Sequence, residues 1–379
     1  MRPFAAAVLL FLAALPVWAG AAPEPRPRNI ILFIGDGMGF GQVALGAVRA
    51  AAAVPAPADP PLPALLTFER FPVAGTLSNP SANSYVTDSA AAATALACGA
   101  KTNNGMVGIA PDGKRLESVA ELAKRHGMAV GIVSSVGFDH ATPAGFYAHE
   151  GSRDSYDAIL AQALNCGTFD LLFGGGVFGK PAGGATLRAA AEAVGMAYFD
   201  AATFKELSPA ATAGKPVLGM FDTNGSHCLD KGIEPRLAEL TAQAVSILLA
   251  RDTGHGFFLM VEGGAIDWAC HGNNADNAAY EVQEFDQAVA AALRQLAAAK
   301  RLDDTLVVVT ADHETGGLVM AGPYGKPLAQ GQTPELKWNG DHHSAMFVPL
   351  YATGPSAGRL ANRHDNAELA RLLKALVAP

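Results

Sequence analysis

Five short, predominantly apolar runs limit what this chain can become: Asn29–Ile34, Ala129–Val133, Phe257–Val261, Thr305–Thr310 and Val348–Ala352. Each is rich in Val, Ile, Leu and Phe, and none alternates cleanly with polar residues. A strand with one wet face carries a polar residue at every second position, so runs of this kind must be covered on both faces. Between them lie segments of helical pattern: Leu116–His126, Ser155–Leu164, Pro235–Leu249, Ala278–Ala299 and Ala367–Leu376. Strands alternating with helices predict an α/β fold, a sheet flanked by helices on both faces.

The 379 residues, half of them hydrophobic, are ample for a large core. No repeat and no linker divides the chain, so residues 23–379 read as a single domain. Val54–Pro63 is Pro- and Ala-rich and reads as a surface loop. Residues 174–232, rich in Gly and Pro, read as a peripheral elaboration. The first 22 residues stand apart: a basic Met1-Arg2 start, an apolar run from Phe4 to Val17, then small residues from Ala19 to Ala22. That layout is a cleavable secretory signal, which predicts a periplasmic or secreted protein. No other stretch reaches the ~18 apolar residues of a membrane span.

Export bears on the four cysteines. Two disulfides are allowed, in three pairings, and Cys166 with Cys228 is the pairing we favour. Cys98 sits in an apolar Ala-rich run and reads as a small buried hydrophobe, and no CxxC pair suggests a zinc knuckle. The net charge of −8 argues against a nucleic-acid partner. It also means that any phosphate site must supply its own local positive charge.

The residues just past the strands are polar. Asp36 comes after the first run, Asp139-His140-Ala141-Thr142 after the second, Glu262 after the third, and Asp312-His313 after the fourth. Ligands in open α/β sheets bind at the carboxyl ends of strands, so these side chains converge on one edge. Carboxylates crowded together repel unless cations intervene. Asp267 and His271, four apart, share a helix face and suit zinc, as does the mixed pair Asp312-His313. Asp36, Glu262 and the Thr142 hydroxyl form an all-oxygen group suited to magnesium. Singly, an Asp after a strand is more often a turn or cap residue, and a lone His a surface or core one. Their coincidence at successive strand ends carries the argument.

Ser89 opens the Ala-rich stretch Ser89–Ala95, where a helix should begin. Locally, Asp88 or Ser89 reads as a helix cap, yet a hydroxyl there also faces the positive end of the helix dipole. Arg153 is a candidate bidentate partner for phosphate, or else a solvated residue at a helix start. The glycines of Gly35–Gly41 do not fit a dinucleotide loop, and no Gly-x-Ser-x-Gly elbow surrounds Ser89.

The ordered set of motifs resembles the alkaline phosphatase family. It comprises Gly35-Asp36-Gly37-Met38-Gly39, Thr87-Asp88-Ser89-Ala90-Ala91, Lys101-Thr102-Asn103-Asn104-Gly105, His140-Ala141-Thr142-Pro143-Ala144, Ala148-His149 through Ser152-Arg153, Val261-Glu262-Gly263 through Ile266-Asp267, Thr310-Ala311-Asp312-His313-Glu314, and a final His before Val348-Pro349. The resemblance implies a central, mostly parallel but mixed sheet and hydrolysis of small phosphate monoesters. It implies two zinc ions, one held by Asp267, His271 and His343 and one by Asp36, Asp312 and His313. It also implies a magnesium at Asp36, Thr142 and Glu262. Ser89 would be the nucleophile of a phosphoserine intermediate, Arg153 the phosphate clamp and Asp88 its orienting partner. His140 stands where many bacterial members carry Asp, which opens the third site to zinc. Trp268 stands where some members carry a basic residue. Of the adjacent His342 and His343, the spacing to Val348-Pro349 favours His343 as ligand. A homodimer is left open. A sulfatase is disfavoured because alanines follow Ser89, and a diesterase because Thr142 and Glu262 are both present. A binding protein without turnover would have no need of Ser89.

Overall fold

A computed structural model describes residues 25–52, 65–221, 235–322 and 335–378. The signal segment, the Val54–Pro63 loop and Cys228 lie outside these residues. In chain order the strands are β1 Asn29–Gly35, β2 Val73–Ser78, β3 Ala129–Ser134, β4 Leu171–Gly174, β5 Ala197–Asp200, β6 Val217–Met220, β7 Phe257–Gly263 and β8 Thr305–Ala311. They continue as β9 Glu314–Thr315, β10 Val319–Ala321, β11 Glu335–Lys337, β12 His343–Ser344, β13 Val348–Thr353 and β14 Asn362–Asp365. The helices are α1 Phe40–Ala52, α2 Ser89–Cys98, α3 Val119–Arg125, α4 Ala141–Ala144, α5 Tyr156–Asn165, α6 Leu187–Ala193, α7 Leu237–Arg251, α8 Ala265–His271, α9 Ala275–Ala298 and α10 Asn366–Val377.

Ten strands form one sheet in the order β14-β2-β13-β8-β1-β7-β3-β4-β6-β5. Only β13 runs antiparallel to its neighbours, β2 and β8; the remaining pairs are parallel. The predominantly apolar runs occupy the middle, where β1, β3, β7 and β8 are buried along their whole length. Helices on both faces supply the cover that such strands require.

The described residues 174–221 are part of the sheet rather than an addition to it: β5 and β6 pair with each other at its end, and β6 pairs with β4. Helix α3 starts at Val119, three residues later than the pattern suggests. A capping box sets that start, with the Ser118 hydroxyl accepting from the Glu121 N–H and the Glu121 carboxylate accepting from the Ser118 N–H. Helix α9 starts earlier, at Ala275, because the Asn274 side chain caps it. Among the described residues Cys98, Cys166 and Cys270 are free thiols. No described helix is long and apolar enough to cross a membrane.

Candidate active site

Parallel pairing fixes where the polar residues meet. In the ladder Ile34 lies beside both Glu262 and Thr310, and Ser134 beside Glu262. The residues at the ends of β1, β3, β7 and β8 therefore emerge side by side. Asp36 leaves β1, Asp312 and His313 leave β8, and Glu262 is the penultimate residue of β7. Asp267 and His271 stand one turn apart on α8, with Oδ2 and Nε2 separated by 3.3 Å. His343, on β12, brings its Nε2 to 3.2 Å from His271 Nε2 and 3.6 Å from Asp267 Oδ1. His342 points away and is 89% exposed.

Three groups of carboxylate and imidazole atoms converge: Asp267 with His313 and His343, Asp36 with Asp312 and His313, and Asp36 with His140 and Glu262. Most of these side chains are buried, and several buried polar atoms have no hydrogen-bond partner. They are both carboxylate oxygens of Asp36, Asp312 Oδ2, Glu262 Oε1, Thr142 Oγ1 and His140 Nδ1. Orphaned atoms of this kind are costly unless something outside the chain meets them.

Around His313 the lone pairs can be counted. Its Nδ1 is 3.2 Å from the Thr315 hydroxyl, which itself donates to Asp267 Oδ1 at 2.5 Å. The hydroxyl has one proton, so His313 Nδ1 must carry the other. Its Nε2 lone pair then faces Asp36 Oδ1 at 3.2 Å, Asp312 Oδ2 at 3.2 Å and the Ser89 hydroxyl at 3.1 Å. An arrangement of acceptors converging on one point, with mixed nitrogen and oxygen donors, fits a divalent cation.

The electrostatics agree with that count. Burial and the neighbouring carboxylates push Asp36 and Asp312 well above the usual carboxylate range. Burial lifts Glu262 to about 7, although the Ser134 hydroxyl donates to it. Burial also opposes the charge of Asp267, but the His271 bond and the nearby imidazoles outweigh it and hold this carboxylate well below its usual range. His271 is correspondingly raised to about 9 by its bond to Asp267. Asp312 Oδ1 is held by the Gly37 and His313 N–H groups. Gly37 has φ +71°, and a Cβ there would lie within 3.0 Å of the Thr315 and Asp267 side chains, so glycine is required at this turn.

Ser89 is the first residue of α2, 2% exposed, and Asp88 is the cap. The Asp88 carboxylate accepts from the Ala91 N–H through Oδ1 and from the Gly105 N–H and Arg153 Nη1 through Oδ2. The residue that caps α2 is thus also the one that anchors Arg153. Arg153 Nη2 donates to His140 Nε2 at 3.0 Å. Burial, and then the Arg153 charge, push the His140 imidazole down to about 3, so it is neutral. The structure brings the candidate ligands together with Ser89, Asp88 and Arg153 at this one edge, and leaves His342 outside it.

Several supporting residues carry no motif and escape a reading of the sequence. Ser134 bonds Glu262, the Thr87 carbonyl accepts from His343 Nδ1, and Thr315 links His313 to Asp267. Thr315 does leave a signal, since it lies two residues beyond His313, a spacing that places both on one side of an extended chain.

Fold and site together define a class: an α/β protein whose parallel strands gather carboxylates and imidazoles that could hold a cation beside a serine and an arginine. The family description "Alkaline phosphatase" matches residues 27–335. Alkaline phosphatase 4 of Bacillus subtilis is 37% identical over 302 residues, covering 77% of this chain and 62% of that protein. Alkaline phosphatase of Escherichia coli is 30% identical over 420 residues, covering 92% and 85%. Among solved structures, the alkaline phosphatase of the Antarctic bacterium TAB5 superposes with a TM-score of 0.78 at 27% identity, covering 93% of this chain and 98% of that one. The chain belongs to the alkaline phosphatase family.

Proposed function

We propose that this protein hydrolyses small phosphate monoesters through a phosphoserine formed on Ser89, releasing inorganic phosphate. The observation that carries the reading is the Ser89 hydroxyl, at the positive end of α2 and 3.1 Å from His313 Nε2, inside the carboxylate–imidazole cluster. Asp267, His271 and His343 would hold one zinc, and Asp36, Asp312 and His313 a second. Asp36, Thr142 and Glu262, with His140, would hold magnesium or a third zinc. Cations there supply a lowered hydroxyl pKa and neutralisation of the charge on the phosphoryl oxygens.

The chain's own residues do the rest. Arg153, held by Asp88, presents a planar fork to two phosphate oxygens. The N–H groups at the start of α2 favour the same anion. Burial of Ser89 limits competing water until the ester has entered. Because phosphoryl transfer passes through a loose transition state, positioning and charge account for most of the rate. His140 in the third group favours zinc over a firmly held magnesium. In line with this, a TAB5 alkaline phosphatase variant with a histidine changed to aspartate is described with Mg bound in its M3 site. The basic start followed by the apolar run at residues 4–17 favours an exported protein.

The test is hydrolysis of p-nitrophenyl phosphate and its bis-ester by the wild type and Ser89→Ala, with zinc and magnesium supplied and then chelated. Chelator-sensitive monoester cleavage that collapses in Ser89→Ala is expected. Preference for the bis-ester, or full activity in Ser89→Ala, would overturn the reading.

A further inference from the structure

Asp139 sits in the site's wall, yet it belongs to none of the three cation groups. It is fully buried, and its carboxylate accepts three backbone contacts: the Phe178 N–H at 2.9 and 3.0 Å and the Gly179 N–H at 2.7 Å. Those amides belong to the turn just past β4. The same turn is zipped to the chain before Asp139 by a Gly137–Gly176 bridge and by the Phe138 N–H bond to Gly176. On this turn stands the Phe178 ring. It is 44% exposed.

The ring's neighbours explain the position. Phe178 lies 6.0 Å from the His140 ring and 6.5 Å from Trp268, and Tyr156 backs it at 5.0 Å. Trp268 meets His140 edge-on at 5.9 Å. His140 therefore packs against a pair of aromatic side chains that also touch each other, contacts that restrict its rotation. That restriction matters because a neutral imidazole has one lone pair. Ring orientation and tautomer together decide whether that lone pair meets Arg153 Nη2, which here lies 3.0 Å from Nε2, or faces Asp36 and Glu262.

The geometry points to Asp139 and Phe178 as positioning residues for the phosphate clamp. The Asp139 carboxylate fixes the 176–179 turn, the turn seats the Phe178 ring, and the ring holds His140 against Arg153. Gly137 completes the device, since a Cβ there would lie 2.6 Å from the Phe178 ring. The inference rests on the phosphatase reading, and neither residue touches substrate.

The experiment is a double-mutant cycle on the zinc- and magnesium-loaded protein, read as the dissociation constant of inorganic phosphate by calorimetry, with metal content measured in parallel. Phe178→Ala and Asp139→Asn should each weaken phosphate binding roughly 3- to 10-fold, the coupling expected for residues that act through one another. In a His140→Ala background the same changes should cause no further loss, and Phe178→Tyr, which keeps the ring, should bind phosphate like the wild type. Equal losses in both backgrounds, or a Phe178→Tyr as weak as Phe178→Ala, overturn the positioning role. If Asp139→Asn fails to fold, Phe178→Ala and Gly137→Ala decide the matter, since both leave the buried carboxylate in place. A wild type that neither hydrolyses monoesters nor binds phosphate overturns the phosphatase reading itself, and this inference with it. A wild type that does both, with additive variants, overturns only the latter.

Discussion

Asp36 has 0% of its surface exposed and neither carboxylate oxygen hydrogen-bonded, while Asp312 and Glu262 crowd the same space. At this scale the protein is a set of unmet valences, and the residues that aim them matter as much as the ones that carry them. Thr315 is the clearest case, because its single hydroxyl proton settles which nitrogen of His313 is free. On the proposed reading His313 is a zinc ligand, and residues that orient such a ligand typically govern metal affinity or activity by ~10- to 100-fold. Thr315→Val should lose zinc in that range on dialysis against a graded chelator, whereas Thr315→Ser should retain it. Equal retention by the two variants would show that the hydroxyl does not set the His313 tautomer. The motif residues Asp36, Ser89, Asp312 and His313 were legible because their types and spacing are chemically specific. Ser134 and Phe178 were not, since Ser and Phe are common everywhere and become informative only once their neighbours are known, and Thr315 left only its spacing from His313.

At the scale of elements, the strands were the most legible part. Runs buried on both faces have a composition few other structures share, and β1, β3, β7, β8 and β13 begin at the expected residues. Helix limits were less so, because Ser118 and Asn274 cap through local bonds that compete with the apolar pattern. The strands β4, β5 and β6 are only four residues each, too short to show a period. Helix α9 carries a cost that no pattern announces. Its Glu281 is buried, with Oε1 unpartnered, and burial followed by the nearby Glu284 raises its carboxyl to about 8. Linkage gives the sign of the pH effect. Between its unfolded value of about 4.3 and the folded value, the unfolded chain has released this proton and the folded one has not, so rising pH destabilises the fold. Above about 8 both states are ionised and the cost is constant. Glu281→Gln should therefore match the wild type near pH 4, gain progressively in thermal midpoint up to about pH 8, and hold that gain beyond. A difference independent of pH would show that Glu281 does not titrate across this window.

At the scale of the whole molecule, the site is a place where folding brings like charges together. Asp36, Asp312 and Glu262 are raised by burial and, in part, by the carboxylates around them, a cost that a bound cation would relieve. A ligand that binds only the folded chain stabilises it by mass action, about 2.7 kcal/mol at a hundred times its Kd. Chelation should therefore lower the thermal midpoint by several degrees and zinc should restore it, measured by calorimetry at fixed pH. An unchanged midpoint would argue against cations in these groups. Composition, apolar runs and motif chemistry were enough to specify an α/β sheet and to name the side chains at its carboxyl edge, because covered strands and cation-binding residues each have a distinctive alphabet. Which strands lie side by side, and that a turn beyond β4 returns to brace His140, both depend on contacts between residues far apart in the chain. Such contacts leave no local trace, and only the packed sheet creates them.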